Sequence, residues 1–137
     1  MKKIIAITII IILCLTECSG NVSNTSATMS QEQLLQYKQI SQEEAKEMMN
    51  REDGHIIVDV RRRDEYDEGH LPDAILIPNE SIEKSRPKEL PDLDQIILVY
   101  CRSGRRSKEA TEKLAAMGYK NVYEFGGIIT WTGETVR

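Results

Sequence analysis

This sequence predicts an α/β fold: an open parallel sheet of about five strands with helices on both faces. Three observations carry the prediction. Residues 55–60 (His-Ile-Ile-Val-Asp-Val) and 95–100 (Gln-Ile-Ile-Leu-Val-Tyr) are short runs rich in β-branched residues, apolar enough to be strands covered on both sides. Helix starts and stops fall between such runs: a capping box at Ser41-Gln42-Glu43-Glu44, an N-cap at Ser107 and a stop at Gly118. Strand and helix signals alternate along the chain, as they do where helices cross over a parallel sheet.

The elements follow in order. A short strand is expected at 37–40. The capping box then opens a helix that carries Ala45, Met48 and Met49 to about Arg51. Asp53-Gly54 is a turn signal, and 55–60 is the second strand. The charged stretch 61–68, with Tyr66, is expected as a short helix, and Gly69-His70-Leu71-Pro72 as a turn. Residues 74–77 form the third strand, closed by Pro78. A helical turn is expected from Asn79 or Glu80 to Lys84, and the polar, proline-containing stretch 85–94 as a loop. The strand 95–100 runs into the loop 101–106. A helix follows, with Ala110, Leu114 and Met117 at helical spacing. Residues 122–125 are the last strand, and Gly126-Gly127 turns into a short terminal helix with Ile128 and Trp131.

The 137 residues suffice for one domain, with 40% hydrophobic and 29% charged residues as in a soluble core. A net charge of −4 and the lack of a long basic run exclude a nucleic-acid binder; the three Arg at 61–63 sit among acids. The N-terminus reads differently. Met1-Lys2-Lys3 and the apolar run 4–15 have the form of a secretory signal, too short for a comfortable membrane span. Leu15-Thr16-Glu17-Cys18 resembles a bacterial lipoprotein cleavage box, with Glu17 where that family has Gly, Ala or Ser. The resemblance implies a signal peptide at 1–17 and a lipid on Cys18. The protein is then exported and membrane-anchored on the extracytoplasmic side. A plain cleaved signal, leaving a periplasmic or secreted protein, and an uncleaved anchor helix are the alternatives. Residues 18–36 read as a flexible linker and 37–137 as the folded domain.

The chemistry is expected at the loop Cys101-Arg102-Ser103-Gly104-Arg105-Arg106. A tight loop entering a helix aims backbone N–H groups at one spot, and the helix dipole makes that spot electropositive. A Cys at the strand end sits over this cradle, where the thiolate is favoured over the thiol. A nucleophile at an anion site suggests an anionic substrate attacked at sulfur, phosphorus or arsenic. The bland alternative is a structural Cys before an ordinary helix. Three Arg at a helix N-terminus oppose the dipole and argue against it. If Cys14 leaves with the signal and Cys18 carries lipid, Cys101 is the only free thiol, so no intramolecular disulfide forms. In a parallel sheet, ligands bind at the carboxyl ends of strands, which is where Cys101 falls.

Three separated stretches resemble the single-domain rhodaneses, a sulfurtransferase family, over about residues 37–134. They are Val58-Asp59-Val60-Arg61 with Glu65-Tyr66 and Gly69-His70-Leu71-Pro72; the loop Val99 to Ser107; and Gly118-Tyr119 with Gly126-Gly127 and Trp131. Asp73 stands where that family usually has Gly, and Leu76 where Asn is common. Asp tolerates left-handed backbone better than most residues, so the turn survives.

The resemblance implies that Cys101 is a persulfide-forming nucleophile. Its partners are then a small sulfur-containing anion, thiosulfate or a persulfide, and a thiol or cyanide acceptor. Arg102, Ser103, Gly104, Arg105 and Arg106 form the substrate-binding loop, with Arg102 and Arg106 ahead of Arg105 in holding the anion. Asp59, Arg61, Glu65 and His70 support the loops through ion pairs and hydrogen bonds. Neither a metal nor a cofactor is expected, since two distant His and one Cys offer no ligand spacing. Two rivals stand beside this reading. Cys-dependent phosphatases and arsenate reductases place an Arg six residues after the Cys, whereas that position here is Ser107. A non-catalytic rhodanese-like binding module usually lacks the Cys, which is present here.

Overall fold

The structure, a computed structural model, describes residues 37–137. The expected signal peptide with Cys14, the lipid site Cys18 and the linker 18–36 lie outside the described residues. The elements are β1 (Tyr37–Gln39), α1 (Gln42–Met49), β2 (Ile56–Asp59), α2 (Arg63–Glu68), β3 (Ala74–Leu76), a 3₁₀ turn (Asn79–Ser81), β4 (Ile96–Cys101), α3 (Arg105–Ala116), β5 (Asn121–Gly127) and a second 3₁₀ turn (Ile128–Thr130). The strands pair in the order β1-β5-β4-β2-β3, every pair parallel. The α/β fold with helices on both faces is as the sequence predicted.

Local chemistry explains the element ends. Ser41 Oγ accepts from Glu44 N at 3.1 Å and starts α1. Gly118, at φ +97°, lets the chain leave α3 in the left-handed region that ends helices. Asp73 adopts φ +61° in the turn before β3, so Asp accommodates there the backbone that glycine takes more readily.

Side chains of β4 alternate between two cores. On one face Ile97, Val99 and Cys101 pack with Val58, Ile82, Leu90, Ala110 and Leu114 under α3. On the other, Leu98 and Tyr100 pack with Ala45, Met48, Ile57 and Phe125 beneath α1. β4 is therefore covered on both faces, which is why its sequence is almost uninterrupted apolar residues. Truncating a fully buried residue such as Leu114 costs about 2–5 kcal/mol.

Some boundaries differ from expectation. α3 begins at Arg105, with Gly104 as its N-cap at φ +104°. Ser107 is not the cap: it is a buried residue of the first turn. The reversal out of β4 is tighter than a serine cap allows, because Gly104 takes a backbone conformation costly for any other residue. The helical turn after Pro78 ends at Ser81 rather than Lys84. β5 continues to Gly127, and Trp131 follows the terminal 3₁₀ turn.

Candidate active site

Cys101 is the last residue of central strand β4 and is only 1% exposed. The pairing of β4 with β5 is irregular here. Val99 lies opposite Glu124, but Cys101 lies opposite Gly127, so β5 holds one extra residue. Such bulges re-aim side chains at sheet ends. The chain then turns within residues 102–104 and enters α3.

Gly104 N donates to Cys101 Sγ at 3.0 Å. Of the loop amides, this is the one that reaches the sulfur. Cys101 is still held in the strand, and the tight turn at Gly104 folds that N–H back over it. Ile129 N donates to Arg102 O at 3.2 Å and ties the loop to the end of β5. A hollow of about 300 Å³ opens over the loop, lined by Arg62, Glu65, Glu80, Arg102, Arg105 and Arg106 among others. A larger hollow of about 390 Å³, lined by Lys46, Met49, Leu71 and Trp131 among others, contains no residue of the loop.

The three loop arginines differ. Arg106 meets Glu65 through both guanidinium nitrogens, at 2.6 and 2.8 Å, with both side chains mostly buried. Hydrogen bonding from Arg106 holds the Glu65 carboxyl at about 2, well below the usual range. Arg106 therefore has its charge already matched, contrary to the expectation that it leads in holding the substrate anion. Arg105 is exposed and pairs with Glu109 at 2.6 Å. Arg102 is exposed and makes no ion pair among the described residues. Ser103 is exposed at the loop tip, lining the same hollow.

The other predicted residues sit around this loop. Asp59 and Arg61 form a buried pair at 2.7 Å. Asp59 Oδ2 also accepts from Tyr100 Oη at 2.7 Å, and Tyr100 Oη accepts from Leu71 N at 3.1 Å. Burial, with Asp59 beside it, pushes the Tyr100 hydroxyl far above the usual phenol range, so it stays a donor. Arg61 Nη2 donates to Gly69 O at 2.7 Å. His70 stacks on Tyr66 with ring centroids 3.7 Å apart, and its backbone exchanges two hydrogen bonds with Val136. These contacts fasten 59–74 to β4 and to the C-terminal segment. Only Glu65 of this group reaches the loop, through Arg106.

Two residues of the site escaped the sequence reading. Glu124 is fully buried at 0% exposure. Its Oε1 accepts from Ser107 Oγ at 2.6 Å and from Gly126 N at 2.8 Å, while Oε2 has no hydrogen-bond partner among the described residues. Ser107 Oγ in turn lies 3.5 Å from Cys101 Sγ. A signal for Glu124 was available. It stands two residues after Val122, so strand alternation puts it on the core face.

The arrangement is a buried thiol at a strand end, held by one amide of a loop whose Arg102, Ser103, Arg105 and Arg106 line a hollow. It suits attack on a small anion. Comparisons with known proteins agree with the fold. The model of the rhodanese-like domain matches residues 41–134. The chain is 37% identical over 98 residues to the putative sulfur carrier protein YrkF of Bacillus subtilis, covering 71% of this chain and 52% of that protein; it thus spans about half of that relative. It is 36% identical over 98 residues to the thiosulfate sulfurtransferase GlpE of Coxiella burnetii, covering 71% of this chain and 89% of that one. Among solved structures, a rhodanese with anions from E. coli is 32% identical with a TM-score of 0.56, covering 61% of this chain and 98% of that one. Fold, loop and sequence kinship converge on one conclusion: the chain belongs to the rhodanese-like domain family.

Proposed function

We propose that this protein is a sulfurtransferase that moves a sulfane sulfur from thiosulfate or a persulfide donor to a thiol or cyanide, through a persulfide on Cys101. In the first half-reaction the Cys101 thiolate attacks the outer sulfur of thiosulfate. The new S–S bond forms as the bond to the inner sulfur breaks, and sulfite leaves with that electron pair. In the second, the acceptor attacks the outer persulfide sulfur and Cys101 leaves as a thiolate. The sulfur stays on one residue between two separate partners, as in a ping-pong cycle.

The observation that carries this reading is the buried Cys101 sulfur held by Gly104 N in a loop whose Arg102, exposed in the neighbouring hollow, has no carboxylate partner among the described residues. An amide and a free guanidinium are what an anionic donor needs on entry. The phosphatase alternative needs a free Arg six positions after the Cys. Here Ser107 holds that position and Arg106 is bound to Glu65.

The same proposal has the domain exported and tethered at a membrane through lipid on Cys18. Mass spectrometry of the protein from its native membrane, before and after thiosulfate, reads both ends. Lipid on Cys18 and one added sulfur on Cys101 are expected. Thiosulfate turnover that persists in Cys101→Ser would sink the sulfur assignment, because a hydroxyl is a far poorer sulfur acceptor.

A further inference from the structure

We infer that Glu124 and Cys101 share a single proton through the Ser107 hydroxyl, which makes Glu124 a positioning residue that sets when the thiolate forms. The inference concerns the thiol's ionisation and rests on the sulfurtransferase reading only for its use in turnover.

Three fully or nearly fully buried groups stand in a row. Cys101 Sγ is 3.5 Å from Ser107 Oγ, and Ser107 Oγ is 2.6 Å from Glu124 Oε1. All three are 1% exposed or less. Ser107 has one proton to donate. The short contact directs it to the Glu124 carboxylate, ahead of the longer contacts to Gly104 O at 2.9 Å and Gly126 O at 3.4 Å. The Ser107 lone pairs then accept from the Cys101 S–H. In this state the row reads S–H to O–H to carboxylate, and the one negative charge is on Glu124.

A Cys101 thiolate cannot face those lone pairs. Besides the Gly104 N–H that it already accepts, it draws the Ser107 O–H toward it, which takes the donor away from Glu124. The row stays satisfied only if every proton moves one step. The Cys101 proton passes to Ser107 Oγ as the Ser107 proton passes to Glu124 Oε1. Glu124 O–H then donates to Ser107 and Ser107 O–H donates to the thiolate. One S–H bond breaks, one carboxyl O–H bond forms, and the charge moves from Glu124 to Cys101 without changing in number. Two anions joined by one hydroxyl in a site closed to water repel strongly, so one of the two retains the proton. Glu124 Oε2, which makes no hydrogen bond among the described residues, leaves the carboxyl less completely satisfied than a buried carboxylate requires. Gly126 N can donate to Oε1 in both states.

The charges around the row favour this partition. From α3, Arg106 acts on Cys101, but its charge is matched by Glu65 of α2, with Glu80 of the 3₁₀ turn nearby. Arg105 of α3 is bound to Glu109. Arg102 is the loop charge left for the incoming donor. From β1, Tyr37 faces Glu124 and Glu112, and burial together with Glu112 raises it above the ordinary phenol range, so it stays neutral. During attack on thiosulfate the proton stays on Glu124: the Cys101 electron pair becomes the new S–S bond, sulfite leaves with the pair of the broken bond, and the outer sulfur keeps the negative charge it brought, one bond farther from Ser107.

The thiolate absorbance of the full chain is followed against pH in the wild type, Glu124→Gln and Ser107→Ala, with Cys101→Ala as blank. Gln keeps the size and the acceptor for Gly126 N but carries no competing charge. The thiolate midpoint is expected to fall by about one pH unit or more in Glu124→Gln and to rise in Ser107→Ala, which loses the donor. A midpoint in Glu124→Gln that is unchanged or raised overturns the inference. If that variant does not fold, infrared difference spectra of the wild type decide. At a fixed pH where the thiolate first absorbs, a protonated-carboxyl band must be present and must be missing in Cys101→Ala; no such band overturns the inference. Lack of thiosulfate turnover would strike the proposed function and leave these titrations standing.

Discussion

Arg106 and Glu65 lie 41 residues apart in sequence, yet they join through two hydrogen bonds of 2.6 and 2.8 Å. The pair fastens the first turn of α3 to α2 and so fixes one wall of the hollow beside the Cys101 loop. Its geometry is the two-point fork that guanidinium and carboxylate make best. With both partners mostly buried, solvent screens it little.

The pH dependence of stability follows from this pair. Glu65 titrates at about 2 in the folded chain, against an ordinary 4.5. As pH falls from about 4.5 to 2, the unfolded chain takes up a proton there before the folded one does. The pair's contribution is thus full above pH 4.5 and is lost on the way down to about 2. We expect Glu65→Gln to lower stability by about 2 kcal/mol at neutral pH. The difference from wild type should close in acid. Urea midpoints measured for both proteins across that window check it, and a constant difference would show that the pair is not the cause.

The buried Asp59, Arg61 and Tyr100 set gives a second expectation. Removing Asp59 leaves the Arg61 charge buried without its partner, at a cost of about 3–5 kcal/mol. Tyr100→Phe is milder, about 1–3 kcal/mol, because it strips one donor from Asp59 and one acceptor from Leu71 N. Asp59→Ala combined with Arg61→Met should recover much of the loss of Asp59→Ala alone. Denaturant unfolding of the three variants, with unchanged slope, is the measurement.

How far these arrangements could be read in advance depended on their range. Strands such as β4, the α1 capping box and the Gly118 stop are set by neighbours in sequence, so composition and spacing revealed them. The loop around Cys101 was legible for the same reason. The pairing of Arg106 with Glu65 was not, because it depends on how α2 and α3 approach across the sheet. The buried place of Ser107 was hidden by a local rule that fits equally well: a serine ahead of a helical pattern is a good cap. The decision fell to Gly104, whose left-handed backbone starts the helix earlier. The inward place of Glu124 could be read from strand alternation after Val122, but its partner could not, because Ser107 reaches it only where α3 crosses β5.

Arg102 and Arg105 should separate in kinetics. Arg102 lacks a carboxylate partner among the described residues, whereas Arg105 is bound to Glu109. We expect Arg102→Ala to raise KM for thiosulfate by about tenfold, the equivalent of about 1.4 kcal/mol of lost anion contact, with a defect that shrinks as salt rises. Arg105→Ala should change KM by less than about threefold, since exposed ion pairs contribute little. Steady-state kinetics at two ionic strengths reads both. Equal defects would mean that the hollow draws on its summed charge rather than on Arg102.

Gly127 offers the sharpest test of how the loop is held. Its φ of −132° is ordinary extended backbone, so conformation alone does not demand glycine. Proximity does. A Cβ there would run into Arg102 O and would lie 2.6 Å from Ser103 Cα. Both are backbone atoms of the loop and neither can swing aside. Gly127→Ala must therefore push residues 102–103 outward, strain the Ile129 N to Arg102 O bond and shift Gly104 N from its 3.0 Å contact with Cys101. Displacing a reacting group by about an ångström costs on the order of a hundredfold in rate. We expect thiosulfate turnover to fall by about that factor while the unfolding midpoint moves far less, since the change falls on an exposed loop rather than on either core. A variant that keeps full turnover would mean that the loop has slack where the structure shows none.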